Sequence, residues 1–167
     1  MTKRALLRIV LLAATLAVCA MIFLFSAQPG EETAETSGFV TTLLLRVAVP
    51  GFDDLPPESR QMYLERWGLP VRKLGHFSEF ALLGALLLCD LALARRDRRW
   101  PRAFLPAWAL ATLYACTDEV HQLLVDGRGA AVTDVLIDSA GAMAGAALVL
   151  LGQCALSAHK RKARGNG

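Results

Sequence analysis

The fold is decided by residues 118–138, which read DEVHQLLVDGRGAAVTDVLID. Acidic, basic, histidine and amide side chains crowd into this stretch, although residues 103–117 before it and 139–151 after it are almost entirely apolar. Ionisable groups at the margin of apolar helices are costly in free energy, so they indicate a functional site by default. The structural alternative is that they cap helix ends and contact lipid headgroups. Their number and variety favour a site.

The composition around this stretch is typical of a membrane protein. The chain has 167 residues, of which 54% are hydrophobic, and its mean hydropathy is +0.41. A soluble domain interleaves charged and apolar residues at the period of a helix or strand, whereas this sequence separates them into blocks. A membrane-crossing helix needs about 20 apolar residues. Four segments satisfy this, at 5–25, 73–94, 103–123 and 134–156. We therefore predict an all-α membrane protein, a four-transmembrane-helix bundle in which residues 1–167 form one domain.

Basic residues predict the orientation of this bundle. They cluster before the first span (Lys3, Arg4 and Arg8), in the connection 95–102 with its five Arg, and in the tail 160–164. Segments rich in Lys and Arg remain on the cytoplasmic side, and an even number of spans places all three clusters there. Both termini are therefore predicted to be cytoplasmic. The first span lacks a good cleavage site of small residues, so we expect it to be a helix and not a removed signal.

Residues 26–72 form an outer loop in this orientation, and we predict short interfacial helices within it. Pro29 and Gly30 break the first helix. Ser37 is a candidate N-cap of an amphipathic helix that lies on the membrane surface. Its apolar face consists of Phe39, Val40, Leu43, Leu44 and Val47. A second helix is predicted from Pro57 to Gly68, and it carries Tyr63 and Trp67 at the interface. A partly disordered loop is the alternative.

Small residues predict where the spans pack most closely. Gly141 and Gly145 form a GxxxG pattern, which allows close approach of helices in lipid. Gly75, Ala81, Gly84 and Ala85 are candidates for the same role in the second span. The four cysteines fall one in each span without CxxC spacing, so buried free thiols are favoured over a disulfide or metal role.

Polar side chains from three predicted spans fall at the same depth on the outer side. His76 and Glu79 share one helix face, and Asp138 lies one turn deeper than Asp134, which is also placed to cap its helix. The candidate site residues are Ser26, Gln28, Lys73, His76, Glu79, Asp118, Glu119, His121, Gln122, Arg128, Asp134 and Asp138. Random polar substitutions would scatter through the depth of the membrane, so this convergence indicates a shared cavity.

Three interpretations of the cluster compete. It lines an outward-open pocket that binds an envelope component such as a lipid-linked phosphate or glycan, with Arg128 able to bind phosphate in two-pronged fashion. Alternatively it acts in hydrolysis or transfer as acid and base or through a metal, for which the candidate ligands are His76, Glu79, Asp118 and His121. Thirdly, Arg128 and Lys73 neutralise the acids and the network only fastens the bundle.

The first interpretation is favoured, and the question of catalysis stays open. We expect no cofactor, and the spacings of the candidate metal ligands match no specific zinc motif. The expected partners are membrane lipids, which the basic segments contact, and a cell-wall or lipid-linked precursor. Nothing in the sequence indicates nucleic-acid binding.

The sequence resembles the VanZ-like family of small bacterial membrane proteins in three blocks that together span nearly the whole chain. They are FSAQPG at 25–30, RKLGHF at 72–77, and DEVHQ at 118–122 followed by GR at 127–128, Asp134, Gly141 and Gly145. The third block is quite specific, whereas the first two alone are weak.

The resemblance implies a multi-pass protein of the bacterial cytoplasmic (inner) membrane that belongs to the cell envelope. The family's named member is associated with low-level resistance to the glycopeptide antibiotic teicoplanin. Two positions depart from the family pattern, which often has Tyr where this chain has Phe80 and Asn where it has Asp138. The loss of a hydroxyl and the gain of a charge would change how a ligand is held.

Overall fold

The computed structural model describes residues 2–94 and 100–165. Five α-helices make up most of these described residues: α1 (Lys3–Ser26), α2 (Gly30–Ala48), α3 (Pro57–Ala94), α4 (Trp100–Gln122) and α5 (Val132–Gly165). A short 3-10 helix, Phe52–Asp54, lies between α2 and α3, and the described ranges contain no strand. The predicted all-α class is confirmed.

Three helices of the described chain are long and apolar enough to cross a membrane: Lys3–Ser26, Pro57–Ala94 and Val132–His159. The predicted count of four is therefore corrected to three, because α4 does not reach the same hydropathy. Its 23 residues are long enough, but Trp, Pro, Thr and Tyr residues interrupt its alanines, and its last turns are the polar residues 117–122.

Helix α3 contains both the short helix and the span that we predicted as separate elements. The expected break between a short helix ending at Gly68 and a span beginning at Lys73 is wrong, because the helix runs unbroken through Pro70. Proline removes one backbone hydrogen bond, a loss that helices packed on neighbours in a membrane protein tolerate. As a result Arg72 lies one helical turn before His76 on the same face.

Helix α2 begins at Gly30, directly after Pro29. The predicted cap at Ser37 is wrong, since this residue lies inside the helix and its hydroxyl donates to the carbonyl oxygen of Ala34. The predicted apolar face is present and open to the surroundings, with Phe39 72% and Val47 83% exposed. Its placement on a membrane surface stays a prediction.

Among the residues that the structure describes, α3 and α5 form the closest pair of helices. Gly84 of α3 and Gly141 and Gly145 of α5 each sit where an added Cβ would come within 2.2 Å of a backbone oxygen of the other helix. The two helices therefore touch backbone to backbone, which explains the GxxxG pattern. Gly75 has no neighbour within 4 Å of such a Cβ and takes no part in this contact.

Helix α4 packs on this pair through a stripe of alanines. Ala103, Ala107, Ala111 and Ala115 recur every fourth residue and are completely buried. The outward faces of the helices carry large apolar side chains such as Leu113 and Leu148, which are more than 60% exposed. Such a surface suits lipid and not water.

The cysteines differ in part from expectation. All four cysteines are free, but Cys116 and Cys154 are exposed, so their predicted burial is wrong. Asp90 accepts a hydrogen bond of 2.6 Å from the Thr15 hydroxyl. The arginines at 95, 96, 98 and 99 and the basic side chains at 160–164 lie outside the described part of the chain.

Candidate functional site

Helices α3, α4 and α5 pack against one another, and each carries a polar residue one turn away from a buried apolar residue. In α3 His76 lies four residues before the fully buried Phe80, and in α5 Asp138 lies four residues before the fully buried Ala142. In α4 Asp118 follows the buried Ala115 by three residues. Residues three or four apart share a helix face, so the packing that buries the stripes also directs these polar groups to one place.

Asp118 is fixed by two neighbours. The Ser26 hydroxyl donates to its Oδ2 at 2.8 Å, and the Gln122 amide donates to the same oxygen at 2.9 Å. Asp118 is only 4% exposed, and its Oδ1 has no hydrogen-bond partner. The end of α1 is thereby attached to α4, and one carboxylate oxygen remains available to a ligand.

Three helices bring His76, Asp118 and Asp138 together. Each offers one ligand atom, and these atoms lie within 4.8 Å of one another. His76 Nδ1 and the Oδ1 atoms of both aspartates are buried without hydrogen-bond partners. In the described ranges this is the group of His, Cys, Asp or Glu side chains with the geometry to hold a metal ion.

Two of the candidate metal ligands proposed from the sequence lie elsewhere. Glu79 faces the side of α3 next to α2 and is absent from the three-residue group. The ring of His121 stacks on the ring of Phe23, with centroids 4.4 Å apart. Asp138, which was not among the candidate metal ligands from the sequence, is the third member of the group.

The loop between α4 and α5 positions Arg128 against the end of α1. Gly127 has a φ of 71°, a left-handed conformation that favours glycine. A Cβ on Gly30 would lie 2.4 Å from the carbonyl oxygen of Gly127, so α2 begins in direct contact with this loop. From here the Arg128 guanidinium reaches back, and its Nη1 donates to the carbonyl oxygen of Ser26 at 3.0 Å.

The charges around the loop are only partly paired. Lys73 forms an ion pair with Asp134, which lies in the first turn of α5 and not at the predicted cap position, because the helix begins at Val132. Glu119 accepts a hydrogen bond of 2.9 Å from the backbone N–H of Ala131. No carboxylate lies within ion-pair distance of Arg128 among the residues that the structure describes. Burial lowers the pKa of the Arg128 guanidinium, and the nearby charge of Arg72 acts in the same direction.

These contacts argue against a network whose only role is to fasten the bundle. That interpretation requires both cations to pair with acids. Lys73 does so, whereas Arg128 donates to two backbone oxygens of α1 and has carboxylates nearby only beyond ion-pair distance. A desolvated guanidinium without a carboxylate partner gains free energy by binding an anion.

A polar cavity of about 100 Å³ opens between α3, α5 and the loop. Three cations line it, and so do three acids, one histidine and one amide. These charged and polar lining residues are Arg72, Lys73, Arg128, Glu119, Asp134, Asp138, His76 and Gln122. The cavity can therefore bind an anionic group through its cations, and His76 and Asp138 line the same cavity.

An apolar cavity of about 260 Å³ lies beside it, between α2 and α3. Phe25, Val40 and Val71 contribute to its lining, and Gln28 and Glu79 lie at its polar margin. Arg72, His76 and Arg128 line both cavities and form their common wall. A ligand with a charged head and an apolar chain would fit across this wall.

The structure thus divides the twelve candidate residues among four places. Seven line the polar cavity: Lys73, His76, Glu119, Gln122, Arg128, Asp134 and Asp138. Gln28 and Glu79 line the apolar cavity, Ser26 and Asp118 are buried behind the polar one, and His121 lies against Phe23.

Sequence reasoning missed Arg72, which lines both cavities. The sequence prediction began the helix at Lys73, which left Arg72 in a loop. Its spacing of four from His76 was the available signal, since residues four apart share a face once the helix is extended. The apolar cavity was also missed, because it forms only where α2 folds back onto α3.

Comparison with known proteins gives one match. A family model described as VanZ/LLP1 matches residues 11–153, which is most of the chain. A search of curated proteins found no significant match, and neither did a search of solved structures.

Proposed function

The chain belongs to the VanZ/LLP1 family and is a VanZ-type protein of the cell envelope, and from this premise we propose that it binds a lipid-linked phosphate precursor. The phosphate occupies the polar cavity and the first part of the lipid chain occupies the apolar cavity. The observation that carries this proposal is the common wall of Arg72, His76 and Arg128, which lines both cavities.

The proposal includes the orientation of the bundle. The three apolar helices cross the bacterial cytoplasmic membrane, and α4 lies in the membrane with them because it packs against α3 and α5 along its alanine stripe. The N-terminal basic residues Lys3, Arg4 and Arg8 stand at the opposite end of α1 from Ser26, so the positive-inside rule favours an outward-facing site. Because the end of α1 and the start of α5 both lie at the site, the start of α1 and the far end of α5 lie together on the opposite, cytoplasmic side.

Arginine is suited to the phosphate end of the ligand. Its planar guanidinium offers paired donors that match two phosphate oxygens, and the interaction is stronger where water is excluded. Arg128 is half-buried, and Arg72 repels it electrostatically, which a phosphate between them would offset. Lys73 is less available because it is paired with Asp134.

The apolar cavity accounts for the lipid end. It is larger than the polar cavity, at about 260 Å³ against about 100 Å³, and it adjoins the exposed apolar face of α2. Burial of each CH₂ group contributes about 0.8 kcal/mol, so a short length of chain adds substantially to the affinity of the headgroup. Free inorganic phosphate is therefore expected to bind much more weakly than a lipid phosphate.

The test measures binding of a long-chain isoprenoid phosphate to purified protein in phosphatidylcholine nanodiscs. The matching alcohol, which lacks the phosphate, is the ligand control. Arg128→Ala should weaken binding about tenfold or more, since a hydrogen bond to a charged group contributes about 1.5–3 kcal/mol. Arg46→Ala is the protein control, because Arg46 is exposed and pairs with Asp53 outside both cavities.

Two results would contradict the proposal. One is equal affinity for the phosphate and the alcohol; the other is equal affinity of the Arg128→Ala and Arg46→Ala proteins for the lipid phosphate. Release of inorganic phosphate or transfer of the headgroup in the same samples would instead establish the membrane enzyme that the sequence left as an alternative.

We also propose that this binding underlies a glycopeptide (teicoplanin-type) phenotype, as the family resemblance implies. Expression of the parent protein should change the teicoplanin susceptibility of a host strain, and Arg128→Ala should remove the change while Arg46→Ala retains it. If both variants gave the same susceptibility at equal membrane abundance, the phenotype would not depend on the cavity, and this proposal would be wrong.

A further inference from the structure

We infer that His76, Asp118 and Asp138 bind one divalent transition-metal cation at the inner end of the polar cavity. The three side chains come from α3, α4 and α5, and their ligand atoms lie within 4.8 Å of one another. Atoms bound to one Zn²⁺ at about 2.0–2.2 Å lie about 3.4 Å apart in tetrahedral geometry. Side-chain movements on the order of 1 Å therefore close the group around an ion.

Each of the three residues carries a buried polar atom without a hydrogen-bond partner. Asp138 is 1% exposed and Asp118 is 4% exposed, and the Oδ1 of each is buried without a hydrogen bond. The same is true of His76 Nδ1. Buried polar atoms are almost always satisfied in folded proteins, so three converging residues from separate helices, each with an unsatisfied buried atom, indicate a ligand site.

The charge of the cluster indicates that the ligand carries a positive charge. Two buried carboxylates face each other, and neither forms an ion pair in the part of the chain that is described. Lys73 is engaged with Asp134, and Arg128 donates to the carbonyl oxygen of Ser26. A divalent cation between the carboxylates supplies the two positive charges that the neighbouring side chains do not.

The surroundings of Asp118 are those of a prepared ligand. Ser26 and Gln122 both donate to Oδ2, which holds the carboxylate plane and leaves Oδ1 for the ion. Outer hydrogen bonds of this kind orient metal ligands and sustain metal affinity. The contact also explains why Ser26, at the end of α1, is completely buried.

The donor set selects among cations. One imidazole nitrogen and two carboxylate oxygens suit Zn²⁺ or Mn²⁺, whereas Mg²⁺ and Ca²⁺ prefer oxygen alone. Three protein ligands leave at least one coordination position open, and His76 and Asp138 also line the polar cavity. Water or an anionic oxygen from the cavity can occupy that position.

The experiment uses the full chain in nanodiscs, freed of metal with EDTA and then dialysed. Cys116→Ser and Cys154→Ser are introduced in every sample, because these exposed thiols would otherwise bind Zn²⁺. Isothermal titration with Zn²⁺ or Mn²⁺ alone should show one ion per chain. Asp138→Asn should weaken binding 100-fold or more. Asp126→Asn is the matched control, since Asp126 is exposed and lies outside the cluster and both cavities.

A thermal unfolding series shows that the variant is folded. Without metal, Asp138→Asn should melt no lower than the parent, because it removes a buried negative charge and keeps the side-chain volume. With Zn²⁺ or Mn²⁺ the parent should melt higher and Asp138→Asn should not change. Absence of stoichiometric binding by the parent, or equal affinity of the two Asn variants, would overturn the inference.

The cation site does not rest on the proposed lipid phosphate. Arg128→Ala should bind the ion with unchanged stoichiometry while it loses affinity for the isoprenoid phosphate. A protein that binds metal but not the lipid would refute the proposed function alone, and a protein that binds the lipid but no metal would refute this inference alone.

Discussion

Replacement of Gly145 by alanine should drive α3 and α5 apart. The Cβ of the new side chain would lie 1.8 Å from the carbonyl oxygen of Ala81, whereas ordinary contact begins at 3.4 Å. The obstacle is helix backbone, which cannot rotate away as a flexible side chain can. The two helices must therefore separate by an amount on the order of 1.6 Å at this level, as the difference between these distances indicates.

The expected cost is about 3 kcal/mol or more, at the upper end of the range for overpacked cores, because neither helix can yield locally. The assay is equilibrium unfolding of the purified protein in detergent micelles. Gly152→Ala is the matched control in the same helix, since nothing lies within 4 Å of its added Cβ. Gly75→Ala is the corresponding control in α3.

The same substitution should also weaken the site. Asp138 lies seven residues from Gly145 on α5, about 10 Å along the helix axis, and His76 faces it from α3. Separation of the helices moves these two side chains apart, so affinity for a ligand between them should fall together with stability. The reasoning is refuted if Gly145→Ala unfolds at the same denaturant concentration as Gly152→Ala.

Three smaller perturbations test individual contacts. Thr15→Val removes the hydrogen bond to Asp90 and should cost about 1.5–3 kcal/mol in equilibrium unfolding, whereas Thr42→Val, which loses only a bond to its own helix, should cost less. Tyr114→Phe removes a hydroxyl that donates to the carbonyl oxygen of Cys19 at 2.7 Å and should cost about 1 kcal/mol in the same assay; no change would mean that this bond between α1 and α4 contributes nothing. Gly30→Ala places a Cβ 2.4 Å from the carbonyl oxygen of Gly127, so it should displace the Arg128 loop and raise the dissociation constant for an isoprenoid phosphate about tenfold, the loss of one charge-assisted hydrogen bond. Gly38→Ala in the same helix, which meets no atom within 4 Å, should leave that constant unchanged.

Much of the fold follows from the sequence because lipid imposes simple rules. Block separation of apolar and charged residues predicted the helical class, and Gly141 and Gly145 predicted the closest helix contact. Helix boundaries were harder to predict. Pro70 is normally a stop signal, but here it lies within a 38-residue helix, because packing against neighbouring helices compensates for the lost hydrogen bond.

The convergence of the site was predictable but its membership was not. His76, Asp118 and Asp138 each continue a stripe of small or apolar residues at helical spacing, which is visible in the sequence. The sequence did not show which of His121 and Gln122 points toward the site, because both are polar and they are adjacent. It depends on the rotation of α4 against α1, which turns His121 onto Phe23 and Gln122 onto Ser26.

The central claim is that polar groups from three helices line one cavity that opens to the outside of the cell. It is tested most directly by labelling single cysteines in a chain whose four native cysteines are replaced. Gly129→Cys lies at the polar cavity, and Ala158→Cys lies near the far end of α5. In intact spheroplasts, a membrane-impermeant maleimide should label Gly129→Cys and should label Ala158→Cys only after permeabilisation. Labelling of Gly129→Cys only after permeabilisation, or of both positions from the same side, would contradict the account.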